Sequence, residues 1–201
     1  MTGRKSLRAA AAGLSLALAG FLGCGLFEPR DPKVGGDPGV ICLTPNTPSA
    51  VVANVTAHYA SSPGLTCYTS MLDSAFAFHP DVADSIDSTP DIFLNWNRDI
   101  ESRVATNLAR DATSRSVTFD SFYASPSTSP DGRTQVQFWV YHLIVKAPQA
   151  APDTLFRGFA DITFFQGASG GQWHITTWVD RRDTSGARTW GYLRSLYRVG
   201  F

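Results

Sequence analysis

The chain has 201 residues, of which 17 are basic, 17 are acidic and 43% are hydrophobic. This apolar fraction is enough for the core of one domain of about 150 residues. The balanced charge provides no basic patch, and nucleic-acid binding depends on neutralising many phosphates, so we expect no nucleic-acid partner.

The first 23 residues have the pattern of a bacterial secretion signal. Basic residues precede an uncharged stretch over 9–22. At about 14 residues this stretch is too short to span a bilayer and suits a signal peptide. It ends in Gly23 and Cys24, which resemble the lipobox of bacterial lipoproteins. The resemblance implies that residues 1–23 are removed and that Cys24 is acylated, by palmitate-type chains that anchor the protein in the membrane. The alternative is an ordinary signal peptide cut nearby, with Cys24 incidental.

The residue after Cys24 bears on which membrane holds the anchor. Gly25 stands where an aspartate often marks retention in the inner membrane. By resemblance, this favours the outer membrane of a bacterial envelope, with the domain facing the periplasm. A host with a single membrane is the alternative. Removal of Arg4, Lys5 and Arg8 with the signal leaves 14 basic against 17 acidic residues, a mildly acidic mature protein.

Residues 24–48 are predicted to be the acylated cysteine and a tether rich in proline and glycine, which holds a domain over 49–201 away from the bilayer. Two cysteines remain beyond Cys24. In an oxidising envelope, Cys42 and Cys67 can pair and close a loop of 25 residues. The alternative is two free thiols.

The first half of the domain has mainly helical periodicity. The predicted elements are, in order, a helix from Ser49 to Tyr59, a short helix over 65–72, a strand over 76–78, a loop over 80–94 and a helix over about 95–111. Val52, Val55 and Tyr59 have the spacing of one helix face. A stripe at four-residue spacing runs from Trp96 to Leu108 in the last helix.

The second half changes to a period of two residues, which predicts strands over 116–123, 134–146, 154–166 and 172–182. Short links rich in glycine and proline join them, so an antiparallel meander is expected. The fold class is therefore α+β, with three N-terminal helices packed on one face of the sheet.

Residue parity sorts the strands into two faces, unless a bulge reverses the alternation. The face predicted to meet the helices is mostly apolar. It consists of Val136, Phe138, Val140, His142, Ile144, Phe156, Gly158, Ala160, Ile162, Phe164, Trp173, Ile175, Thr177 and Val179. The opposite face mixes charges with large aromatic residues.

Several segments resemble the nuclear transport factor 2-like superfamily, also called cystatin-like or SnoaL-like. They are Gly158-Phe159-Ala160, the Gly-Gln-Trp-His-Ile run over 171–175, the Trp-Val-Asp run over 178–180, the run over 189–193 and the helix that contains Trp96. The segments over 171–175, 178–180 and 189–193 look like the closing strand of that fold. The resemblance covers about 49–201 and implies a cone-shaped domain with a curved antiparallel sheet and a cavity. The superfamily includes ketosteroid isomerase, scytalone dehydratase, polyketide cyclases and non-catalytic binding domains. No counterpart of the isomerase's catalytic residues is found, so the catalytic residues are unknown.

His142 is the one strongly polar residue on the apolar face, where it is a candidate general base or ligand anchor. Tyr59, Tyr68 and Trp96 are candidates to line the same cavity. For all four, an ordinary place in the core is the alternative. No histidine pair has metal-ligand spacing, so neither a metal nor another cofactor is expected.

The opposite face suggests an interface between two copies of the chain. Trp139, Tyr141, Phe159 and Trp178 would form an aromatic patch ringed by charges, which often marks an interface. In the superfamily this face commonly pairs two subunits. The alternative is that residues 190–201 fold over it.

Three functional hypotheses follow. The first is an envelope lipoprotein with a non-catalytic domain that binds a small apolar ligand or a protein partner. The second is a small cofactor-free enzyme of the isomerase or dehydratase type that uses His142 in the cone. The third is a structural subunit that forms a homodimer.

Overall fold

A computed structural model describes residues 41–61, 64–87, 91–148, 151–167 and 171–198 of the chain. The predicted signal peptide, Cys24 and residues 24–40 of the predicted tether lie outside the described residues. The described residues all belong to one compact unit, Gly39–Phe201.

The described residues form five helices and five strands. The helices are α1 (Pro48–Tyr59), α2 (Leu65–Ser70), α3 (Val82–Asp87), α4 (Arg98–Asp111) and α5 (Trp190–Arg198). The strands are β1 (Leu72–His79), β2 (Ser114–Thr128), β3 (Thr134–Ala147), β4 (Ala151–Gln166) and β5 (Trp173–Arg181). The predicted α+β class is confirmed.

The five strands form one curved sheet in the order β1-β5-β4-β3-β2. The three pairs among β2, β3, β4 and β5 are antiparallel, as expected. However, β1 pairs in parallel with β5, so the sheet is mixed. The sequence indicated only 76–78 as a strand here, because the alternation in Leu72–His79 is broken by a register shift between Leu72 and Ala77.

A side-chain cap fixes the start of α4, and burial of one face holds α5 in place. Asn97 caps α4, since its side chain accepts a hydrogen bond from the backbone N–H of Ile100 at 3.0 Å. Residues 189–193, which resemble part of a closing strand, instead lead into helix α5. Trp190, Leu193 and Tyr197 have helical spacing and are buried, so burial of this face holds α5 on the sheet.

The predicted assignment of faces is correct for β4 and wrong for β3. In β3 the inward residues are Tyr141, Leu143 and Val145, each 0% exposed, whereas Ile144 is 44% exposed. Both faces of β3 are rich in apolar or aromatic residues, so hydropathy alone could not decide between them. The orientation of β3 is the reverse of the predicted one. Its inner face carries polar atoms, but they are hydrogen-bonded: the Tyr141 hydroxyl, for example, donates to Asp180.

In β5 the prediction fails after Ile175 because of a bulge. Phe164 pairs with Ile175 and Thr163 pairs with Thr177, which leaves one extra residue in β5. The extra residue reverses the alternation, so Trp178 and Asp180 face inward and are buried.

The structure joins Cys42 and Cys67 in a disulfide, with their Cα atoms 5.5 Å apart. The bond ties the segment before α1 to α2. A cross-link over 25 residues restricts the unfolded chain.

We expect the Cys42→Ala/Cys67→Ala double variant to lose about 3 kcal/mol of unfolding free energy, because the unfolded chain regains the entropy of that loop. Urea denaturation with and without dithiothreitol measures the loss. Reductant should destabilise the wild type and leave the double variant unchanged. Equal midpoints for the wild type in both conditions would contradict the stabilising role of the bond.

Candidate functional site

Helix α5 places a tryptophan at the centre of the concave face of the sheet. Trp190 is 0% exposed. Its ring centroid lies 4.7 Å from that of Tyr59, 5.7 Å from that of Tyr141 and 4.9 Å from that of Trp178. Its indole N–H donates a hydrogen bond to the Tyr59 hydroxyl at 3.0 Å. Residues from a helix and two strands therefore meet around a side chain of the C-terminal helix.

One turn further along α5, Arg194 forms a buried ion pair with Glu101 of α4. Both side chains are 1% exposed, and Arg194 Nε lies 3.0 Å from each carboxylate oxygen of Glu101. The Tyr68 hydroxyl donates to Glu101 Oε1 at 2.5 Å, and the Trp96 indole N–H donates to Oε2 at 2.8 Å. The carboxylate thus has four interactions with three donor side chains, as a buried charge requires.

The guanidinium of Arg194 is also surrounded by aromatic rings. Its Cζ lies 4.2 Å from the ring centroid of Phe78, 4.7 Å from that of Trp178 and 4.9 Å from that of Trp190. The two Nη atoms have no hydrogen-bond partner among the described residues, so cation–π attraction stabilises that end of the group. Burial alone would lower the pKa of Arg194, but the Glu101 carboxylate raises it above its ordinary value.

A second polar cluster binds the first turn of α5. Asp180 accepts a hydrogen bond from the Tyr141 hydroxyl at 2.7 Å and another from the backbone N–H of Gly191. The Tyr141 oxygen in turn accepts from the backbone N–H of Trp190 at 2.7 Å. A carboxyl group at this position satisfies the free N–H groups of a helix start.

Gly191 and Gly158 are needed because backbone and side chains come very close at this point. A Cβ atom at Gly191 would lie 3.1 Å from Asp180 Oδ2 and 3.2 Å from Asp84 Oδ2. A Cβ atom at Gly158 would lie 2.4 Å from the Arg181 carbonyl oxygen and 2.9 Å from the Tyr141 hydroxyl. A side chain at Gly191 would crowd the carboxyl groups beside the start of α5, and one at Gly158 would clash with the backbone of β5 and with the Tyr141 hydroxyl.

The Asp180 carboxyl is 1% exposed, and burial raises its pKa from 3.8 to about 7. The folded chain therefore binds this proton more tightly than the unfolded chain does. The stability that comes from protonation is fully present below the unfolded pKa and is lost as the pH rises through about 7.

We expect the unfolding free energy of the wild type to fall by on the order of 3 kcal/mol between about pH 4 and about pH 8 because of Asp180. Asp180→Asn should flatten this slope, even though it lowers stability at every pH by disturbing the hydrogen bonds. Urea denaturation over a pH series provides the test. A variant with the same slope as the wild type would show that Asp180 is not the group responsible.

Comparisons with known proteins bear on the fold and not on the sequence family. The sequence matches no protein-family model and no curated protein. A candidate aromatic ring hydroxylase from Novosphingobium aromaticivorans has 10% sequence identity and a TM-score of 0.53, over 67% of this chain and 85% of the other. A candidate scytalone dehydratase from the same bacterium has 12% identity and a TM-score of 0.52, over 71% and 90%. A nuclear transport factor 2-like superfamily protein from Salmonella enterica has 11% identity and a TM-score of 0.50, over 68% and 89%.

The chain has the nuclear transport factor 2-like fold. At these low identities the likeness establishes the fold alone. The space between the helices and the concave sheet is the cone of that fold. In this chain Trp190 and Arg194 lie inside the cone.

The structure brings together three of the four predicted cavity residues. Tyr59, Tyr68 and Trp96 are buried at 2%, 0% and 3% exposure, and each forms a hydrogen bond around α5. His142 is not with them, because β3 has the opposite orientation to the one predicted. It lies on the outer face, where its Nδ1 is 2.6 Å from Asp120 Oδ2, and its side chain is 37% exposed.

The predicted aromatic patch on the outer face is wrong for three of its four members. Tyr141 and Trp178 are fully buried inside the cone. Trp139 is half-buried on the inner face, where its ring packs on Phe122 with centroids 4.1 Å apart. Only Phe159 faces outward.

The outward aromatic cluster therefore has different members. Tyr123 packs on Phe159 and on Phe138, with ring centroids 4.7 Å and 5.7 Å away. The Tyr123 hydroxyl donates to Asp161, which also pairs with Arg181. Sequence parity had separated Phe138 from Phe159, because the faces of β3 were exchanged.

The sequence interpretation missed Glu101 and Arg194, although a signal for both exists. Glu101 lies three residues before Val104 and seven before Leu108, so it falls on the buried stripe of α4. Arg194 lies four residues after Trp190, on the buried face of α5. A charge of each sign on an apolar helix face indicates a buried pair.

Among the described residues, no group of three or more histidine, cysteine, aspartate or glutamate side chains is placed to hold a metal ion. In the same part of the chain, no helix combines the length and the apolar character needed to cross a membrane.

Proposed function

We propose that this chain is a lipid-anchored protein of the bacterial cell envelope whose domain binds a partner without catalysing a reaction. The observation that carries the proposal is the filled cone. The polar groups that could act on a substrate there, Glu101, Tyr141 and Asp180, instead hold the donors of α5. A ligand of this domain would then bind outside the cone.

Native mass spectrometry of the purified full chain tests this part of the proposal. The expected spectrum contains the chain alone or with a protein partner. A stoichiometric small molecule in the wild type that is absent from Tyr141→Phe would place a ligand inside the cone. That result would contradict the proposal.

The anchor is proposed from the sequence around Cys24. We expect the wild type in the outer-membrane fraction and Cys24→Ala in the soluble fraction, since acyl chains contribute about 0.8 kcal/mol for each buried methylene. Cell fractionation with immunodetection measures this. A Cys24→Ala protein that stays in the membrane fraction would contradict the lipid anchor.

A second candidate function is a cofactor-free enzyme of the isomerase or dehydratase type. The buried Tyr141–Asp180 pair favours it, because a protonated carboxyl next to a tyrosine can stabilise a developing oxyanion. Two structural neighbours with the same fold are named as candidate enzymes. Because backbone N–H groups of α5 are hydrogen-bonded to Tyr141 and to Asp180, this function requires α5 to move away from both side chains. Saturable binding of a panel of phenols that disappears in Asp180→Asn would support it.

A third candidate is a homodimer formed through the outer face of the sheet. Apolar side chains are exposed on this face, including Ile144 at 44% and Leu155 at 46%. Light scattering at high micromolar concentration tests it. A monomer mass there would exclude a stable dimer.

A further inference from the structure

An open groove lies between α1 and the edge strand β2, outside the cone. Its volume is about 590 Å³, which is within the range of about 300–1,000 Å³ typical of binding sites. Its α1 wall combines small side chains one helical turn apart, Ser49, Ala53 and Ala57, with the branched side chains of Val52 and Thr56. Ser49, Ala53 and Ala57 leave space on this helix face, because their side chains are short.

The other wall is the free edge of the sheet. Thr118, Phe119 and Asp120 all line the groove, although successive side chains of a strand point to opposite faces. Thr118 and Phe119 are successive paired residues that point to opposite faces, and Asp120 is the extra residue at the register shift between Phe119 and Ser121, so the edge of the strand borders the groove. Because β2 ends the strand order, this edge has no neighbouring strand in the described sheet.

Only the first half of β2 has a regular edge. Ser114 to Phe119 pair with β3 without a register shift. Three shifts follow between Phe119 and Ser127, and Pro126 lies within that part. Bulges and proline prevent further pairing at a sheet edge. A regular edge without a neighbouring strand therefore remains over Ser114–Phe119, a length of about 20 Å, and its last two residues, Thr118 and Phe119, line the groove.

The charge of the groove is negative. Among the described residues that line it, Asp120 is the only charged one. Its side chain is 44% exposed and is held by His142 Nδ1 at 2.6 Å. One carboxylate oxygen is thereby fixed, and the rest of the group is left exposed at the groove, where it can pair with a cation.

We propose that the groove binds an extended peptide segment of a partner protein, which adds to β2 beside Ser114–Phe119 as a sixth strand and places a lysine or arginine side chain at Asp120. Backbone hydrogen bonds to the free edge supply affinity, and the small side chains of α1 leave space for alternate side chains of the peptide. This inference rests on the proposed function and names the partner class and its site. A peptide suits the groove better than a compact ligand does, because the unpaired backbone of β2 continues from the groove over Ser114–Phe119.

The test uses the full chain and a pool of seven-residue peptides with blocked termini, alternating valine and threonine and carrying one lysine at varied positions. We expect saturable binding below millimolar concentration and slower amide hydrogen exchange in residues 114–120. Methylating alternate backbone nitrogens of the bound peptide, in the register that faces β2, should weaken binding at least tenfold. Methylating the other set should have little effect. Replacing lysine with glutamate should also weaken binding.

Two variants separate the parts of the site. Ala53→Trp should abolish binding by filling the groove, whereas Ala75→Trp, at an exposed position of β1, should not. Asp120→Asn should weaken the lysine peptide about tenfold, and Asp99→Asn, exposed on α4, is its control. Thermal unfolding confirms that each variant is folded.

Three results would overturn the inference. They are no saturable binding by any peptide of the pool up to millimolar concentration, binding that is indifferent to backbone methylation or to Ala53→Trp, and a β2 edge already protected by a second copy of the chain. None of them touches the filled cone. Conversely, a small molecule found in the cone by native mass spectrometry would contradict the proposed function and leave the peptide test standing.

Discussion

Replacing Arg194 with methionine is expected to lower the free energy of unfolding by about 3–5 kcal/mol, because it leaves the Glu101 carboxylate buried without its cation. Methionine keeps much of the side-chain volume, so the loss reports the charge and not a cavity. Glu101 is 1% exposed and cannot recover water without local unfolding. Urea denaturation measures the change.

A double-mutant cycle completes this prediction. Glu101→Gln alone should also be strongly destabilising, since it leaves Arg194 unpaired. The double variant Arg194→Met/Glu101→Gln should be more stable than the sum of the two losses predicts, because no lone charge remains. A loss below about 1 kcal/mol for Arg194→Met would mean that the pair does not hold α5 in the cone.

Trp190→Ala is expected to cost about 3–5 kcal/mol, through lost burial and the cavity left behind. The indole N–H bond to Tyr59 is lost as well. Because the cavity is enclosed by aromatic rings, added indole should bind there and raise the melting temperature. Differential scanning calorimetry with and without indole measures both effects.

Trp139→Ala is the matched control for Trp190→Ala. Trp139 is only half-buried, near the edge of the sheet, so its loss should be smaller and indole should not restore it. The wild type should not respond to indole. If Trp190→Ala is as stable as the wild type, or if indole stabilises both alike, the cone is not filled by Trp190.

The groups around α5 explain why the cone interior is unsuited to a substrate. Two of the acceptors, Glu101 and Asp180, come from α4 and β5, and both are occupied by donors of α5. Any ligand that entered would have to replace an ion pair and a helix cap together. Such a displacement is costly, so binding outside the cone is the simpler function for this domain.

Much of the helical part of the fold could be predicted from periodicity. Val52, Val55 and Tyr59 are all buried on one face of α1, as their spacing indicates. The stripe through Val104 and Leu108 in α4 is likewise buried. These patterns lie within single helices. The spacing of the apolar residues alone therefore indicates which side of the helix is buried.

The orientation of the strands was harder to predict, because it depends on tertiary contacts. Tyr141 and Asp180 turn inward since each finds a buried hydrogen-bond partner, which a hydropathy pattern does not record. The extra residue in β5 left no local sign such as glycine or proline, since it is Thr176, which lies between Ile175 and Thr177. His142 lies on the outer face and not on the predicted inner face, because the orientation of β3 is the reverse of the predicted one.

The candidate site was predicted in part. The aromatic residues Tyr59, Tyr68 and Trp96 were placed in the cone interior by their helical spacing. Their function there depends on Arg194, which became visible only once residues 190–198 were seen as a helix. Parity and spacing are defined within one element, whereas this cluster is assembled from several.

The central claim is that α5 is a permanent part of the cone, and amide hydrogen exchange of its backbone tests this most directly. We predict that the amides of Leu193 and Tyr197 exchange only through global unfolding, with opening free energies within about 1 kcal/mol of the global value. Exchange of the α5 amides at a free energy far below the global value, while the β4 amides stay protected, would show that the helix leaves and the cone opens. That result would contradict the account.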